Sequence, residues 1–175
     1  MSQNVKPWRR RWEIPDAQIR DAADQYEAAR KLLAMQPPFS GVLLPLINVA
    51  AVAIELYLKC LSAELVHTPD EDFPGCFIVS AAPTRWGHKL APLFAEISDN
   101  LKRDLENAFQ TERPNVAGRT FLETLKRCEG AFAESRYPFE HDKDISKYPL
   151  NDLMFISEFL SGFVSKLSSK EYIEW

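Results

Sequence analysis

One group of polar residues stands out because its spacing could bring charges together inside an apolar segment. It occupies the stretch after Ser40, where the polar positions are separated by seven, four and three residues: Asn48, Glu55, Lys59 and Ser62. This spacing places them along one side of a helix. A charge buried alone costs several kcal/mol, so each must be paired or lie in a wet cleft. Two interpretations are therefore open. The stripe is either a polar site, or a solvent-facing side of the helix on which Glu55 and Lys59 form a simple surface ion pair.

A second polar group follows about 75 residues later in the segment Arg136 to His141, with the sequence Arg-Tyr-Pro-Phe-Glu-His. Pro138 should interrupt the preceding helix and turn the side chains of the segment sideways. Arg136 is a planar donor that can pair through two hydrogen bonds with a carboxylate such as Glu55, or with a phosphate. The two groups together predict a polar site between a central helix and this segment.

Two helices must position the first group. Asp16 is a plausible N-cap for a first helix, whose apolar residues recur at helical spacing as far as about Gln36. Ser40 can cap a second helix that runs to about Val66, with Pro45 near its first turn. This second helix is apolar nearly all round, which predicts that it is the central one.

The rest of the chain reads as one long loop followed by three helices. The loop covers about residues 67–87 and contains a short strand at Phe77 to Ser80 whose partner the sequence does not identify. Helix three should run from near His88 to Phe109, helix four from Phe121 to about Ser135, and helix five from after Pro149 to Leu167. The expected fold class is all-α: a bundle of about five helices with one long loop.

Length, charge and cysteine content limit the classes of protein. A chain of 175 residues fits one domain, here residues 16–175, preceded by an arm of residues 1–15. The net charge of -4 gives no global attraction to nucleic acid or to an anionic membrane. The longest apolar stretch, from Val42 to Ile54, is too short to cross a bilayer, which argues against a membrane partner. Three widely spaced cysteines and the absence of an apolar leader favour a reducing cytoplasm and no zinc site.

Three motifs in this order resemble the HEPN superfamily. They are Glu-Leu-Tyr-Leu-Lys at Glu55 to Lys59, Gly-His-Lys-Leu at Gly87 to Leu90, and Arg-Tyr-Pro-Phe-Glu at Arg136 to Glu140. A bacterial branch of that superfamily shows Glu-Leu-x-Leu-Lys, then Gly-His-x-Leu, then Arg-Tyr with a Glu soon after. The resemblance covers about residues 40–165 and depends on the order and spacing of the motifs.

The resemblance implies a helical bundle that dimerises and acts on RNA, in many relatives as a metal-independent endoribonuclease of a toxin–antitoxin or phage-defence system. The family signature is an Arg followed closely by a His, which Arg136 and His141 match. In RNA cleavage a His can move the proton of the 2′-hydroxyl, and an Arg can hold the charged phosphate. No metal and no cofactor is needed. Several residues would support the pair or bind substrate: Asn48, Glu55, Lys59, His88, Tyr137 and Glu140.

Two alternatives remain open at this point. The chain could be an inactive relative that binds RNA or nucleotides, or a non-catalytic interaction module with a protein partner such as an antitoxin. In the second case the polar residues would form a structural network: Glu55, Lys59, His88, Arg136 and Glu140. The arm sequence from Trp8 to Trp12, Trp-Arg-Arg-Arg-Trp, fits either a nucleic-acid-binding arm or an arm whose tryptophans anchor it on the bundle.

Overall fold

A computed structural model of the chain describes residues 8–10, 15–112, 119–136 and 148–167. It is mainly helical, as the sequence predicted, with one small sheet. The elements in chain order are β1 (Trp8–Arg10), α1 (Ala17–Ala34), α2 (Leu43–Cys60), β2 (Ala63–Pro69), β3 (Phe77–Pro83), α3 (Leu90–Ala95), α4 (Asp99–Glu112), α5 (Phe121–Cys128), α6 (Ala131–Arg136) and α7 (Leu150–Lys166).

The starts of the first two helices test the predicted caps. Asp16 caps α1 as expected, since its side chain accepts a hydrogen bond of 2.9 Å from the backbone N–H of Ile19. The cap predicted at Ser40 is wrong, because α2 begins only at Leu43 and has no side-chain cap. Pro45 therefore lies in the first turn, where its missing N–H costs no intrahelical hydrogen bond.

The long loop predicted at 67–87 is largely a β-hairpin. α2 ends at Cys60 rather than near Val66, and the chain enters β2, which pairs antiparallel with β3 and, on its other side, with β1. Pro69 faces Phe77 in this register, so β2 is the partner that the sequence left unidentified. Val66, a β-branched residue at the end of the expected helix, favours this extended backbone.

Two of the expected helices are each divided in two. Helix three becomes α3 and α4, separated around Ser98, and helix four becomes α5 and α6, separated at Glu129 and Gly130. Serine and glycine are weak helix formers, and Ser98 lies just before the acidic first turn of α4. The break before α6 matters for the site, because it lets this short helix pack independently against α2.

α2 lies at the centre of the fold, in contact with α1, α3, α6 and α7. Buried residues of all the longer helices form one core, which includes a group of phenylalanines that contact one another: Phe94, Phe109, Phe121 and Phe159. Within the described part of the chain, α2 is the single helix long and apolar enough to cross a membrane, and half of it is buried inside the protein. Its central position in the bundle accounts for this composition.

Candidate polar site

The polar site is built around Glu55, a carboxylate on α2 that is only 5% exposed. Its Oε1 accepts a hydrogen bond of 2.6 Å from Nζ of Lys59, one helical turn further along. Its Oε2 lies 2.8 Å from Nδ1 of His88. The Lys59 side chain is itself largely buried. Burial of Glu55 is therefore offset by two polar partners, one on the same helix and one from a distant part of the chain.

Gly87 explains how His88 reaches α2. Its φ of +116° belongs to a region that residues with a side chain rarely adopt, so glycine permits the turn between the end of β3 and the start of α3. The turn lays His88 over the polar stripe while its side chain remains 62% exposed. The Gly-His motif thus has a local structural role, because its glycine permits the turn that brings its histidine to α2.

The two ring nitrogens of His88 have different surroundings. Nδ1 faces the Glu55 carboxylate, and Nε2 has no hydrogen-bond partner among the residues described. In the neutral tautomer that donates from Nδ1, Nε2 is an acceptor directed away from that carboxylate. A carboxylate that holds one nitrogen in this way fixes the orientation of the ring.

An aromatic side chain on α6 connects His88 with Arg136. The rings of His88 and Phe132 are stacked, with 4.6 Å between their centroids and an interplanar angle of 29°. The guanidinium carbon of Arg136, one turn further along α6, lies 5.2 Å from the centroid of the same Phe132 ring. Arg136 is exposed. An imidazole and a guanidinium group therefore share one aromatic neighbour at the protein surface.

α6 also contacts the stripe at its other end. Nδ2 of Asn48 donates a hydrogen bond of 3.4 Å to Oγ of Ser135, which is buried. Ser62, in contrast, donates to the backbone carbonyl of Leu58 in its own helix and takes no part in the site. The predicted stripe is thus used by α6 and by His88 over most of its length.

The structure brings together five of the residues that the sequence singled out: Asn48, Glu55, Lys59, His88 and Arg136. Glu55 bonds to Lys59 and His88 where the sequence suggested Arg136 as its partner. Tyr137, Glu140 and His141 lie outside the described residues, so the proposed pairing of Arg136 with His141 stays a prediction. Phe132 was missed, although its position four residues before Arg136 is a signal that the two share a helix face.

A second polar network was missed completely. Arg30 and Glu27 on α1 are 5% and 2% exposed and form a two-pronged ion pair, with N–O distances of 2.7 and 2.6 Å. Oγ of Ser157, on α7, donates to the same carboxylate at 2.6 Å. The hydrogen bond to Glu27 raises the pKa of Arg30 above its ordinary value. This network joins α1 to α7 inside the bundle, and its chemistry is structural.

The described residues contain no candidate metal site. Within residues 15–112, 119–136 and 148–167, no three His, Cys, Asp or Glu residues lie close enough together to hold a metal ion.

Comparisons of the chain with protein-family models, with curated proteins and with solved structures find no match. The resemblance to the HEPN superfamily therefore depends on the three motifs alone.

Proposed function

We propose that this protein binds RNA or a nucleotide through the face formed by His88 and Arg136, and that it cleaves bound RNA without a metal ion. One observation supports this most strongly. A buried carboxylate, Glu55, holds one nitrogen of an exposed imidazole, and an exposed guanidinium group lies against the same Phe132 ring.

Phosphate binding is the first part of the proposal. The guanidinium group of Arg136 presents planar donors that match phosphate oxygens, and it is charged at every physiological pH. Lys59 adds positive charge close to His88, because both side chains contact the Glu55 carboxylate. The Lys59 ammonium is engaged in that contact. The overall charge of the chain is -4, so RNA affinity must come from this local group of cations.

Proton transfer is the second part. Nε2 of His88 would accept the proton of a ribose 2′-hydroxyl while the 2′-oxygen forms a bond to the adjacent phosphorus. The bond from phosphorus to the 5′-oxygen then breaks, and that oxygen takes a proton from water. The products are a 2′,3′-cyclic phosphate and a 5′-hydroxyl. Glu55 would stabilise the imidazolium that forms, and Arg136 the charge on the phosphorane.

In this proposal His88 takes the role that the family signature gives to His141. The two assignments make different predictions, because they place the general base on different histidines. If His141 is the base, replacing it would abolish cleavage while the variant His88→Asn keeps most of it. Replacement of either histidine distinguishes them directly.

The wider setting follows from the HEPN resemblance. We expect a cytoplasmic homodimer of a toxin–antitoxin or phage-defence system, with an antitoxin-like protein as a further partner and with no cofactor. The widely spaced cysteines suit a reducing compartment.

The test measures cleavage of a mixed, fluorescently labelled RNA pool at neutral pH in excess chelator, together with binding at two salt concentrations. The variants are Arg136→Ala and His88→Asn, whose amide can still donate to Glu55 but cannot take a proton. Arg103→Ala on α4 is the matched control, since Arg103 is exposed and bonds only weakly to Asn100, at 3.3 Å. We expect His88→Asn to lose cleavage, Arg136→Ala to lose both binding and cleavage, and Arg103→Ala to lose neither.

One feature favours a second candidate, a non-catalytic interaction module. Both oxygens of Glu55 are occupied by partners, one from α2 and one from the segment that enters α3, so the contact also fastens that segment to the core. A wild-type protein that neither binds nor cleaves RNA, with variants that only melt at lower temperature, would establish this role. The search would then move to protein partners.

A further inference from the structure

Within the part of the chain that the structure describes, β3 is an edge strand of the sheet. In the sheet order β1-β2-β3, β2 has a neighbour on each side, whereas β3 pairs with β2 alone among the strands described. Among the described strands, none pairs with the outward-directed N–H and C=O groups of β3, so these groups can bond to a further strand. Four consecutive residues at the start of β3, from Phe77 to Ser80, are exposed.

The strand lacks the features that normally prevent edge pairing. Phe77, Ile78 and Val79 are 48%, 55% and 45% exposed, and because side chains alternate they present apolar surface on both faces of the sheet. No charged residue occurs from Phe77 to Pro83, and the single proline is the last residue. Proteins usually protect such an edge with lysine, proline or a bulge. An exposed apolar edge of this kind indicates an interface.

The two ends of β3 carry opposite charge. The turn before it contains Asp70, Glu71 and Asp72, and the segment after it contains Arg85 and Lys89. Arg85 lies 3.3 Å from Glu96 but remains half exposed, so it can also face a second carboxylate. Each end also carries one exposed aromatic residue, Phe73 before the strand and Trp86 after it. When two identical strands run antiparallel, the acidic end of each lies beside the basic end of the other, and Phe73 of one copy approaches Trp86 of the other.

We propose that two copies of this chain associate by antiparallel pairing of their β3 edges, which joins their two sheets into one continuous sheet. A two-fold axis perpendicular to the sheet relates the copies, so one patch meets itself. Charge complementarity at the ends selects a second copy as the occupant, since the same strand supplies both the acidic and the basic end. A parallel arrangement would place like charges together.

The symmetry restricts the register. Residues that face each other across the axis must point to the same face of the sheet, so each residue pairs with one an even number of positions away or with itself. Pairing about Val79 sets Phe77 opposite Ala81 and Ile78 opposite Ser80. A register centred on Ile78 or on Ser80 also satisfies the rule, and in each case one residue faces its own copy.

The proposal names the surface used by the homodimer expected above, and it stands whether or not the polar site binds RNA. His88 follows the end of β3 by five positions, so the partner's acidic turn would lie near the segment that carries His88. Association is measured without RNA, and failure of the interface is therefore distinguishable from failure of the proposed RNA activity.

The experiment measures mass by light scattering after size-exclusion chromatography, and the dissociation constant by sedimentation. We expect a dimeric wild type, and Val79→Lys and Ile78→Lys variants whose dissociation constant rises more than about tenfold, because two lysines then meet near the axis. Met35→Lys, at an exposed apolar residue beyond α1, is the matched control and should remain dimeric. Circular dichroism checks folding. A monomeric wild type, or folded Val79→Lys and Ile78→Lys variants that stay dimeric, would overturn the proposal.

A cysteine scan tests the pairing itself. In a Cys76→Ser background, which removes the exposed thiol near the strand, single cysteines are placed at positions 78, 79 and 80. Mild oxidation should produce a covalent dimer at the position that faces its own copy, where the Cβ atoms are about 5 Å apart. A Met35→Cys variant should stay monomeric on a denaturing gel. Absence of cross-linking at all three positions would contradict edge-to-edge pairing.

Discussion

Two buried glutamates on neighbouring helices have similar hydrogen-bond partners, but only one of them has a partner that reaches solvent. Glu27 on α1 and Glu55 on α2 are both almost fully covered, and each bonds to a basic residue one turn further along its own helix. Each also bonds to a third group from a distant part of the chain, Ser157 for Glu27 and His88 for Glu55. Ser157 is fully buried, whereas His88 lies mostly in solvent.

The difference separates a structural network from a candidate site. In the network of Glu27, Arg30 and Ser157, called the closed network below, both charged groups are paired inside the bundle. The main consequence of this network is to fix how α1 and α7 pack. In the network of Glu55, Lys59 and His88, called the open network below, the carboxylate is buried while the histidine keeps one ring nitrogen at the surface. A buried charge pair is thus informative about function only when one of its partners reaches solvent.

The largest expected effect comes from opening the closed network with Arg30→Met. The Glu27 carboxylate would remain buried with only Ser157 and a 3.7 Å contact to Lys31. We expect a loss of about 3–5 kcal/mol in the free energy of unfolding, measured in urea. Arg103→Met on the exposed face of α4 should change it by no more than about 0.5 kcal/mol. A loss below about 1 kcal/mol for Arg30→Met would contradict the difference drawn between the two networks.

The equivalent change in the open network is Glu55→Gln, for which we expect about 1–3 kcal/mol. The amide oxygen of glutamine can accept from Lys59 or from His88 but loses the charge that strengthens both bonds. The effect should be smaller than for Arg30→Met because His88 can turn to water. Urea unfolding of both variants in one buffer gives the ranking, and the reverse order would show that the site is the more important structural network.

Tyr57 connects α2 to α1, and we expect its contribution to the free energy of unfolding to depend on pH. Its hydroxyl donates a hydrogen bond of 2.6 Å to Asp24, and burial, followed by this bond, raises the pKa of Tyr57 above its ordinary value of 10.0. The protonated form is the one that the fold favours. Its contribution is therefore complete below about pH 10 and is lost as pH rises further, by up to about 1.4 kcal/mol per pH unit.

Tyr57→Phe should cost about 1 kcal/mol at neutral pH, through loss of the hydrogen bond. Above pH 10 the stability of the wild type should fall more steeply than that of the variant, so the two unfolding curves converge. Thermal unfolding between pH 8 and 11 measures this. Parallel curves for the two proteins over that range would show that the phenol titrates without constraint from the fold.

The smallest expected effect on stability is that of His88→Ala. The side chain is mostly exposed, so we expect a loss of no more than about 1 kcal/mol, from the bond to Glu55 and the stacking on Phe132. Its effect on RNA cleavage should be large, which is the pattern expected for a site. A loss of stability comparable with that of Arg30→Met would instead assign His88 to the structural network.

Local signals predicted where the helices lie, although not all of their ends. The cap at Asp16, the apolar character of α2 and the terminal helix α7 all follow from residues within a few turns of one another. The strand that begins at Phe77 was predicted, but β1 and β2 were missed because pairing is non-local: Ala63 meets Pro83, and Trp8 meets His67. Residues at the start of β2 continue the apolar pattern of α2, and only their strand partners decide the extended conformation.

The candidate site shows the same division. The stripe on α2 and the Gly-His turn follow from spacing and from the backbone freedom of Gly87, so the sequence alone determined that Glu55 and Lys59 share a helix face. Two findings needed the tertiary structure. One is that His88 bonds to Glu55, and the other is that Phe132 brings His88 and Arg136 together. The physical reason is that helix periodicity is written in neighbouring residues, whereas contacts between elements depend on how whole surfaces pack.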